Sequence, residues 1–172
     1  MTLKLIIING PAGVGKSTVS ARIHTVLQDS LIIDIDELRR QIPDYRENRE
    51  ASLKLSYEHA FHVIEKNLQQ EKSVIIDKAI FDTRILDSFI ELGKKYNAQT
   101  FEFLLFADKE TLLKRAAERG YRPGSLLTSE KVAEMWGKAD TLRKERLGII
   151  CIDTTTAGAE AVFQQIKQTV TF

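Results

Sequence analysis

Residues 3–18 read LKLIIINGPAGVGKST, an apolar run followed by a glycine-rich turn and then by Lys16, Ser17 and Thr18. The segment Gly10 to Ser17 fits the pattern G-x-x-x-x-G-K-[ST], with a strand-like run before it and a helical pattern after it. Its glycines allow the backbone to turn tightly and to aim N–H groups inward, and the N-terminus of the following helix adds partial positive charge. The stretch therefore predicts a loop that binds phosphate groups.

The residue types in this loop predict the phosphates of a nucleotide and Mg²⁺ as its ligands. Lys16 would reach the β- and γ-phosphates as a point charge, and the Ser17 hydroxyl would join the oxygen ligands of Mg²⁺. Thr18 is placed to contact the α-phosphate. The predicted nucleotide-binding residues of the loop are Gly10, Ala12, Gly13, Val14, Gly15, Lys16, Ser17 and Thr18.

Five short apolar runs alternate with segments of helical period along the chain. Continuous apolar character, without strict alternation, is typical of parallel strands that are covered on both faces. The pattern predicts an α/β fold with a parallel five-stranded sheet and helices on both faces. The predicted strands are Leu3 to Asn9, Leu31 to Ile35, Ser73 to Asp77, Thr100 to Phe106 and Gly148 to Ile152.

The predicted helices place their apolar residues on one face. Asp108 and either Asp82 or Thr83 are well placed as N-caps. The predicted spans are Lys16 to Leu27, Leu53 to Leu68, Thr83 to Tyr96, Lys109 to Arg119, Ser129 to Arg143 and Gly158 to Val170.

Length and composition fit one domain over residues 1–172. The chain is 43% hydrophobic and 28% charged, with a formal net charge of +1, so nothing in its balance demands a nucleic-acid or membrane partner. No run of 18 apolar residues is present, and we expect a cytoplasmic monomer or homodimer. The single cysteine, Cys151, lies in an apolar run and is expected in the core.

Two insertions interrupt the alternation of strands and helices. Residues 38–72 are charged and helical, and we expect them to bind a small-molecule phosphate acceptor. Residues 115–129 contain glycine and proline among arginines, and we expect a small lid there.

Acidic residues follow two of the predicted strands. Asp36 comes after the second strand, at the edge of the sheet where open α/β folds bind ligands, although it could equally act as a helix cap. Asp77 ends the third strand and could hold Mg²⁺ through water, or cap a turn. Arg39 and Arg84 are candidates for the acceptor pocket, and each could instead be a solvated surface charge.

The sequence resembles the small P-loop kinases of the shikimate and gluconate kinase type, within the AAA-type P-loop NTPases. It is more similar to chloramphenicol phosphotransferases, zeta toxins and polynucleotide 5′-kinases. The resemblance rests on Gly10 to Thr18, on Asp36-Glu37-Leu38-Arg39, on Val74 to Asp77 and on the arginines around 115–122.

This resemblance implies a kinase that transfers the γ-phosphoryl group of ATP to a hydroxyl, with Asp36 taking the proton. It further implies that lid arginines close over ATP, with Arg119 and Arg122 near the phosphates and Arg115 near the adenine. Thr155 lies in a segment, Asp153 to Thr156, that resembles the loop passing the adenine. Basic residues near a helix C-terminus could instead complement the helix dipole.

Two other functions stay open at this point. One is an NTP hydrolase or switch acting on a protein partner, although the chain lacks an N/T-K-x-D guanine-reading signature. The other is a polynucleotide 5′-hydroxyl kinase, which the near-neutral charge makes less favourable.

Overall fold

Five parallel strands form one sheet, and helices cover it on both faces, in a computed structural model that describes residues 2–120 and 127–171. The strands are β1 (Lys4–Asn9), β2 (Leu31–Asp34), β3 (Val74–Asp77), β4 (Gln99–Phe106) and β5 (Ile150–Asp153). The helices are α1 (Lys16–Val26), α2 (Ile35–Arg40), α3 (Arg49–Gln69), α4 (Thr83–Lys95), α5 (Lys109–Arg119), α6 (Ser129–Glu145) and α7 (Ala159–Val170).

The strand that carries the phosphate loop lies at the centre of the sheet. The strand order is β2-β3-β1-β4-β5, so β1 pairs with both β3 and β4. All six residues of β1 are buried, as expected for a strand with neighbours on both sides and helices on both faces. The register places Asp77 beside Ile8 on one side and beside Asp34 on the other. The loop that follows β1 therefore emerges beside the acidic ends of β3 and β2.

Side chains alternate between two cores because successive residues of a strand point to opposite faces. Ile6 and Ile8 of β1 pack with α1, α5 and α7, whereas Leu5 and Ile7 pack with α3 and α4. Helix α6 contributes to both cores. The double-sided packing confirms the predicted parallel five-stranded sheet with helices on both faces.

The predicted elements differ from the structure mainly after β2. The apolar run predicts a strand that reaches Ile35, but β2 ends at Asp34, and Ile35 is the first residue of the short helix α2. The α2 N-cap is Asp34, whose carboxylate accepts hydrogen bonds from the backbone N–H groups of Asp36 (2.8 Å) and Glu37 (3.1 Å). The interpretation of Asp36 as a helix cap is therefore wrong. Asp82 and Asp108 cap α4 and α5 as predicted.

The prediction that Cys151 lies in the core is also wrong. Its side chain is exposed, because β5 is an edge strand of the sheet and only Ile152 among its residues is buried. An apolar run alone does not show which of its residues face a core when the strand has an open side. No helix in the described part of the chain is long and apolar enough to cross a membrane.

Candidate active site

The loop between β1 and α1 is shaped by two glycines. A Cβ atom at Gly10 would lie 2.3 Å from the carbonyl oxygen of Leu105, so only glycine allows the loop to leave β1 this close to β4. Gly13 has a φ of 90° and lies against α5, where a Cβ atom on Gly13 would be 3.7 Å from Cβ of Arg115. Backbone conformations of this kind favour glycine, and they turn successive N–H groups toward a common centre.

The first turn of α1 presents unsatisfied N–H groups beside a lysine. Gly15 is the N-cap and provides no side-chain acceptor, and Lys16 is the first helical residue. Lys16 Nζ donates to the carbonyl oxygen of Pro11 at 3.1 Å, so the side chain folds back over the loop. A helix N-terminus and a folded-back ammonium together form an anion-binding site.

Lys16 is surrounded by carboxylates. Burial lowers the pKa of its ammonium, although the residue keeps some solvent contact. The carboxylates of Asp77, Asp36 and Asp34 oppose this shift, so all three lie close enough to Lys16 to interact electrostatically with it. The structure thus gathers the predicted phosphate lysine and the predicted acidic residues at one edge of the sheet.

Asp77 is a buried carboxylate at the end of β3. Burial raises its pKa, whereas the charge of Lys16 and the hydroxyl of Ser17 act in the opposite direction. The two residues predicted to hold Mg²⁺, Ser17 and Asp77, are therefore neighbours. A hydroxyl and a carboxylate are oxygen ligands of the kind that Mg²⁺ takes alongside phosphate oxygens and water.

Asn9 connects the phosphate loop to the loop after β3, and the sequence analysis did not single it out. Its fully buried side chain accepts hydrogen bonds from the N–H groups of Gly10 (2.7 Å) and Ile80 (2.8 Å) and donates to the carbonyl oxygen of Ile80 (2.6 Å). The available signal was an asparagine in an otherwise apolar buried strand, because buried amides require hydrogen-bond partners.

Asp36 lies in the first turn of α2, at the same edge of the sheet. Its carboxylate forms an ion pair with the ammonium of Lys78, the residue that follows Asp77. About half of the Asp36 side chain (48%) is exposed, whereas the Lys78 side chain is 9% exposed. Asp36 is therefore accessible from solvent on one side and fixed to the protein on the other.

The two arginines predicted for the acceptor pocket have partners within the protein. Arg39 donates to Ser52 Oγ at 3.0 Å and to the carbonyl oxygen of Arg49 at 2.6 Å, which ties α2 to the start of α3. Arg84 pairs with Asp82 at 2.7 Å, and its side chain is 88% exposed. The contacts of Arg39 bring the helical insertion next to Asp36, while Arg84 lies at the solvent-facing start of α4.

Arg115 fixes the segment that follows β5. Its guanidinium donates to the carbonyl oxygens of Thr154 (2.7 Å) and Thr155 (3.2 Å), and the Thr155 hydroxyl accepts from the N–H of Asp108 at 3.0 Å. Because Arg115 also lies beside Gly13, the predicted adenine-side residues Arg115 and Thr155 are adjacent to the phosphate loop. Arg119 is exposed at the end of α5, and Arg122 lies outside the described residues.

A groove of about 1040 Å³ lies between α4 and α6, and its lining includes Phe81, Asp82 and Gly137. None of its lining residues belongs to the phosphate loop. Lys16, Asp36 and Asp77 do not line this groove either.

Known proteins support this description of the fold. The tunicamycin resistance protein of Deinococcus radiodurans superposes with a TM-score of 0.65 at 23% identity, over 98% of this chain and 95% of that one. A gluconokinase from Sinorhizobium meliloti gives a TM-score of 0.67 at 17% identity, over 98% and 96%. A deoxyadenosine kinase from M. mycoides gives 0.59 at 18% identity, over 97% and 98%.

These likenesses show a shared fold and confirm the resemblance to small P-loop kinases that the motifs predicted. The sequence itself matches a family model described as an AAA domain over residues 5–142, which include the phosphate loop, Asp36, Asp77 and Arg115. The chain therefore belongs to this AAA-domain family of P-loop proteins.

Proposed function

We propose that the protein is a kinase that transfers the γ-phosphoryl group of ATP to a hydroxyl group of a small molecule. The observation that carries this proposal is the position of Asp36, a half-exposed carboxylate within electrostatic reach of Lys16. A phosphate-binding lysine and an accessible carboxylate on one sheet edge are what phosphoryl transfer needs, since the reaction depends mainly on positioning and charge stabilisation.

The described residues fit ATP and Mg²⁺ as ligands. Backbone N–H groups of the loop from Gly10 to Gly15 and the ammonium of Lys16 would hold the phosphates, and Ser17 with Asp77 would hold Mg²⁺. The desolvated carboxylate of Asp77 is the feature of this structure that most favours a cation at this point. When bound, Mg²⁺ neutralises charge that develops on the transferring group.

Asp36 would act as general base. Its carboxylate accepts the proton of the acceptor hydroxyl as the oxygen of that hydroxyl bonds to the γ-phosphorus, and the bond from the γ-phosphorus to ADP breaks. Lys16 would stabilise the phosphate charge in the transition state. Arg119 would contribute further positive charge from the end of α5, and Arg115 and Thr155 would border the adenine side.

The acceptor would bind between Asp36 and helix α3. Arg39 holds α2 to the start of α3 beside Asp36, so the insertion of residues 38–72 forms one wall of this region. Half-buried Leu38, Tyr57 and Phe81 pack on the same core and supply apolar surface. A small molecule that carries hydroxyl groups as well as an apolar part fits these surroundings.

The test is an ATP-consumption screen with Mg²⁺ against pooled nucleosides, sugars, antibiotics and a 5′-hydroxyl oligonucleotide, followed by mass spectrometry. We expect a small-molecule product heavier by one phosphoryl group. Free phosphate alone, unaffected by any pool, would favour a hydrolase or switch instead. Phosphorylation of the oligonucleotide only, with strong salt dependence, would favour a polynucleotide 5′-hydroxyl kinase.

A further inference from the structure

Lys78 is a buried lysine with a fixed backbone. It follows β3 directly, and its N–H donates to the carbonyl oxygen of Ile8 at 3.3 Å, which continues the hydrogen bonding between β3 and β1. Its side chain is 9% exposed. Removing an ammonium from water is unfavourable unless a partner of opposite charge offsets the cost, so the identity of that partner matters.

The partner is the carboxylate of Asp36. Lys78 Nζ donates to Asp36 Oδ1, and among the described residues no other hydrogen bond reaches this carboxylate. The backbone of Asp36 is held independently, because its N–H donates to the Asp34 carboxylate at 2.8 Å. One carboxylate oxygen of Asp36 is therefore anchored, and Oδ2 is left for a ligand.

The two lysines of the site have different partners. Lys16 folds over the phosphate loop to the carbonyl oxygen of Pro11, whereas Lys78 turns to Asp36. They lie close enough for their charges to repel, because Lys78 helps to lower the pKa of Lys16. The ion pair with Asp36 gives Lys78 a role distinct from phosphate binding.

We propose that Lys78 is a positioning residue for phosphoryl transfer, which acts by holding Asp36 Oδ1 so that Oδ2 faces the acceptor hydroxyl. This inference rests on the proposed function, because Asp36 needs orientation only if it receives the acceptor proton. Lys78 takes no direct part in the proton transfer. When Asp36 becomes protonated, the ammonium still donates to Oδ1.

The test is a double-mutant cycle on the full chain with the acceptor found in the screen. Lys78→Met should lower kcat by about tenfold to a hundredfold, because a misplaced reactive group costs rates of this order. The KM for ATP should change much less than kcat, because the Lys78 ammonium donates to Asp36 and not to the phosphate loop. Lys78→Arg, which keeps the charge, should recover part of kcat. Lys95→Met is the matched control, since Lys95 pairs with Glu65 through an exposed ion pair and should leave kcat and both KM values unchanged.

The decisive comparison is made in the Asp36→Asn background. There Lys78→Met should change kcat by no more than about twofold, because the group on which Lys78 acts has already been replaced. A full additional loss in the double variant would overturn the proposal, as would a raised KM for ATP with kcat intact. If Lys78→Met does not fold, Lys78→Arg is tested in the same cycle, and its smaller loss of kcat should likewise disappear in the Asp36→Asn background.

The outcome also separates this inference from the proposed function. If the wild-type protein transfers no phosphoryl group to any acceptor, both fail together. If the wild-type protein is an active kinase and Lys78→Met keeps its kcat, only the role of Lys78 is wrong.

Discussion

Lys16 and Asp77 show how individual residues of the site carry charge that the fold partly desolvates. Burial lowers the pKa of Lys16 and raises the pKa of Asp77, while each residue favours the charged form of the other. Both charged forms are thus held at an energetic disadvantage that a phosphate group or a cation would relieve.

Replacing Lys16 should remove ATP binding. Lys16→Met deletes the ammonium that folds over the phosphate loop, and we expect binding to be lost or weakened by at least about tenfold, as for other hydrogen bonds to charged groups. Calorimetric titration with a non-hydrolysable ATP analogue measures this. Lys94→Met, which alters an exposed ion pair with Glu91, is the control. Wild-type affinity in Lys16→Met would contradict the phosphate-loop assignment.

Asp77 should make Mg²⁺ binding depend on pH. The metal binds the ionised carboxylate, and burial raises the pKa of Asp77, so Mg²⁺ affinity should fall on acidification at a higher pH than for an exposed aspartate of pKa about 3.9. Titrations with an ATP analogue between about pH 5 and about pH 8 test this. In Asp77→Asn only the phosphate groups of the ATP analogue titrate, so the Mg²⁺ affinity of this variant should lack the additional pH dependence.

The same shift has a defined sign for stability. A carboxyl group whose pKa is raised by burial holds its proton more tightly in the folded protein than in the unfolded chain. Without Mg²⁺, the contribution of Asp77 to stability is therefore fully present below the pKa of an exposed aspartate, about 3.9, and is lost as the pH rises through the raised pKa of the folded protein. Unfolding midpoints of the wild-type protein and Asp77→Asn that run parallel over this range would contradict the assignment.

At the scale of elements, short-range chemistry predicts where helices begin more reliably than where strands end. Asp82 and Asp108 are recognisable as N-caps from sequence because an aspartate before a helical pattern has few other roles. The end of β2 was misplaced because Ile35 and Asp34 fit either state, and the Asp34 carboxylate decides in favour of the helix by capping α2.

The side chain of Asn9 should stabilise the contact between β1 and the loop after β3. Asn9→Ala leaves the N–H groups of Gly10 and Ile80 without their acceptor, and we expect the free energy of unfolding to fall by about 2–4 kcal/mol. Urea denaturation measures it. Asn67→Ala is the control, because Asn67 donates to one carbonyl oxygen within α3 and should cost at most about 1 kcal/mol. Equal costs in the two variants would contradict a special role for Asn9.

At the scale of the whole molecule, one buried ion pair joins α6 to the sheet. Glu102 of β4 is buried and accepts from Arg146 Nε at 2.7 and 2.9 Å, and Arg146 also pairs with Asp87 of α4 at 2.9 Å. The network connects β4, α4 and the end of α6 on the face of the sheet that carries α3.

Breaking this pair should destabilise the fold in a pH-dependent way. Arg146→Met leaves Glu102 buried without its cation, at an expected cost of about 3–5 kcal/mol near neutral pH. Burial already raises the pKa of Glu102, so protonation in mildly acidic solution should reduce the loss. Urea denaturation near neutral pH and in mildly acidic solution tests this. Lys144→Met, which removes an exposed pair with Asp140 from the same helix, should cost no more than about 1 kcal/mol. A loss that does not depend on pH would contradict the account.

Sequence patterns specified the sheet and the phosphate loop because both depend on local signals, namely continuous apolar runs and glycine spacing. They did not specify contacts between distant residues. The pair between Lys78 and Asp36 joins positions 42 residues apart, and the amide of Asn9 meets Ile80 across 71 residues. Cys151 was misplaced for a related reason, because its exposure depends on β5 being an edge strand.

The most direct test of the central claim compares Asp36→Asn with the wild-type protein. Affinity for ATP and transfer of the γ-phosphoryl group to the identified acceptor are measured side by side. The account predicts unchanged ATP affinity and transfer that is slower by about a hundredfold or more, because the substitution removes the base and leaves the phosphate loop intact. Transfer at the wild-type rate would show that Asp36 is not the general base and would contradict the proposed mechanism.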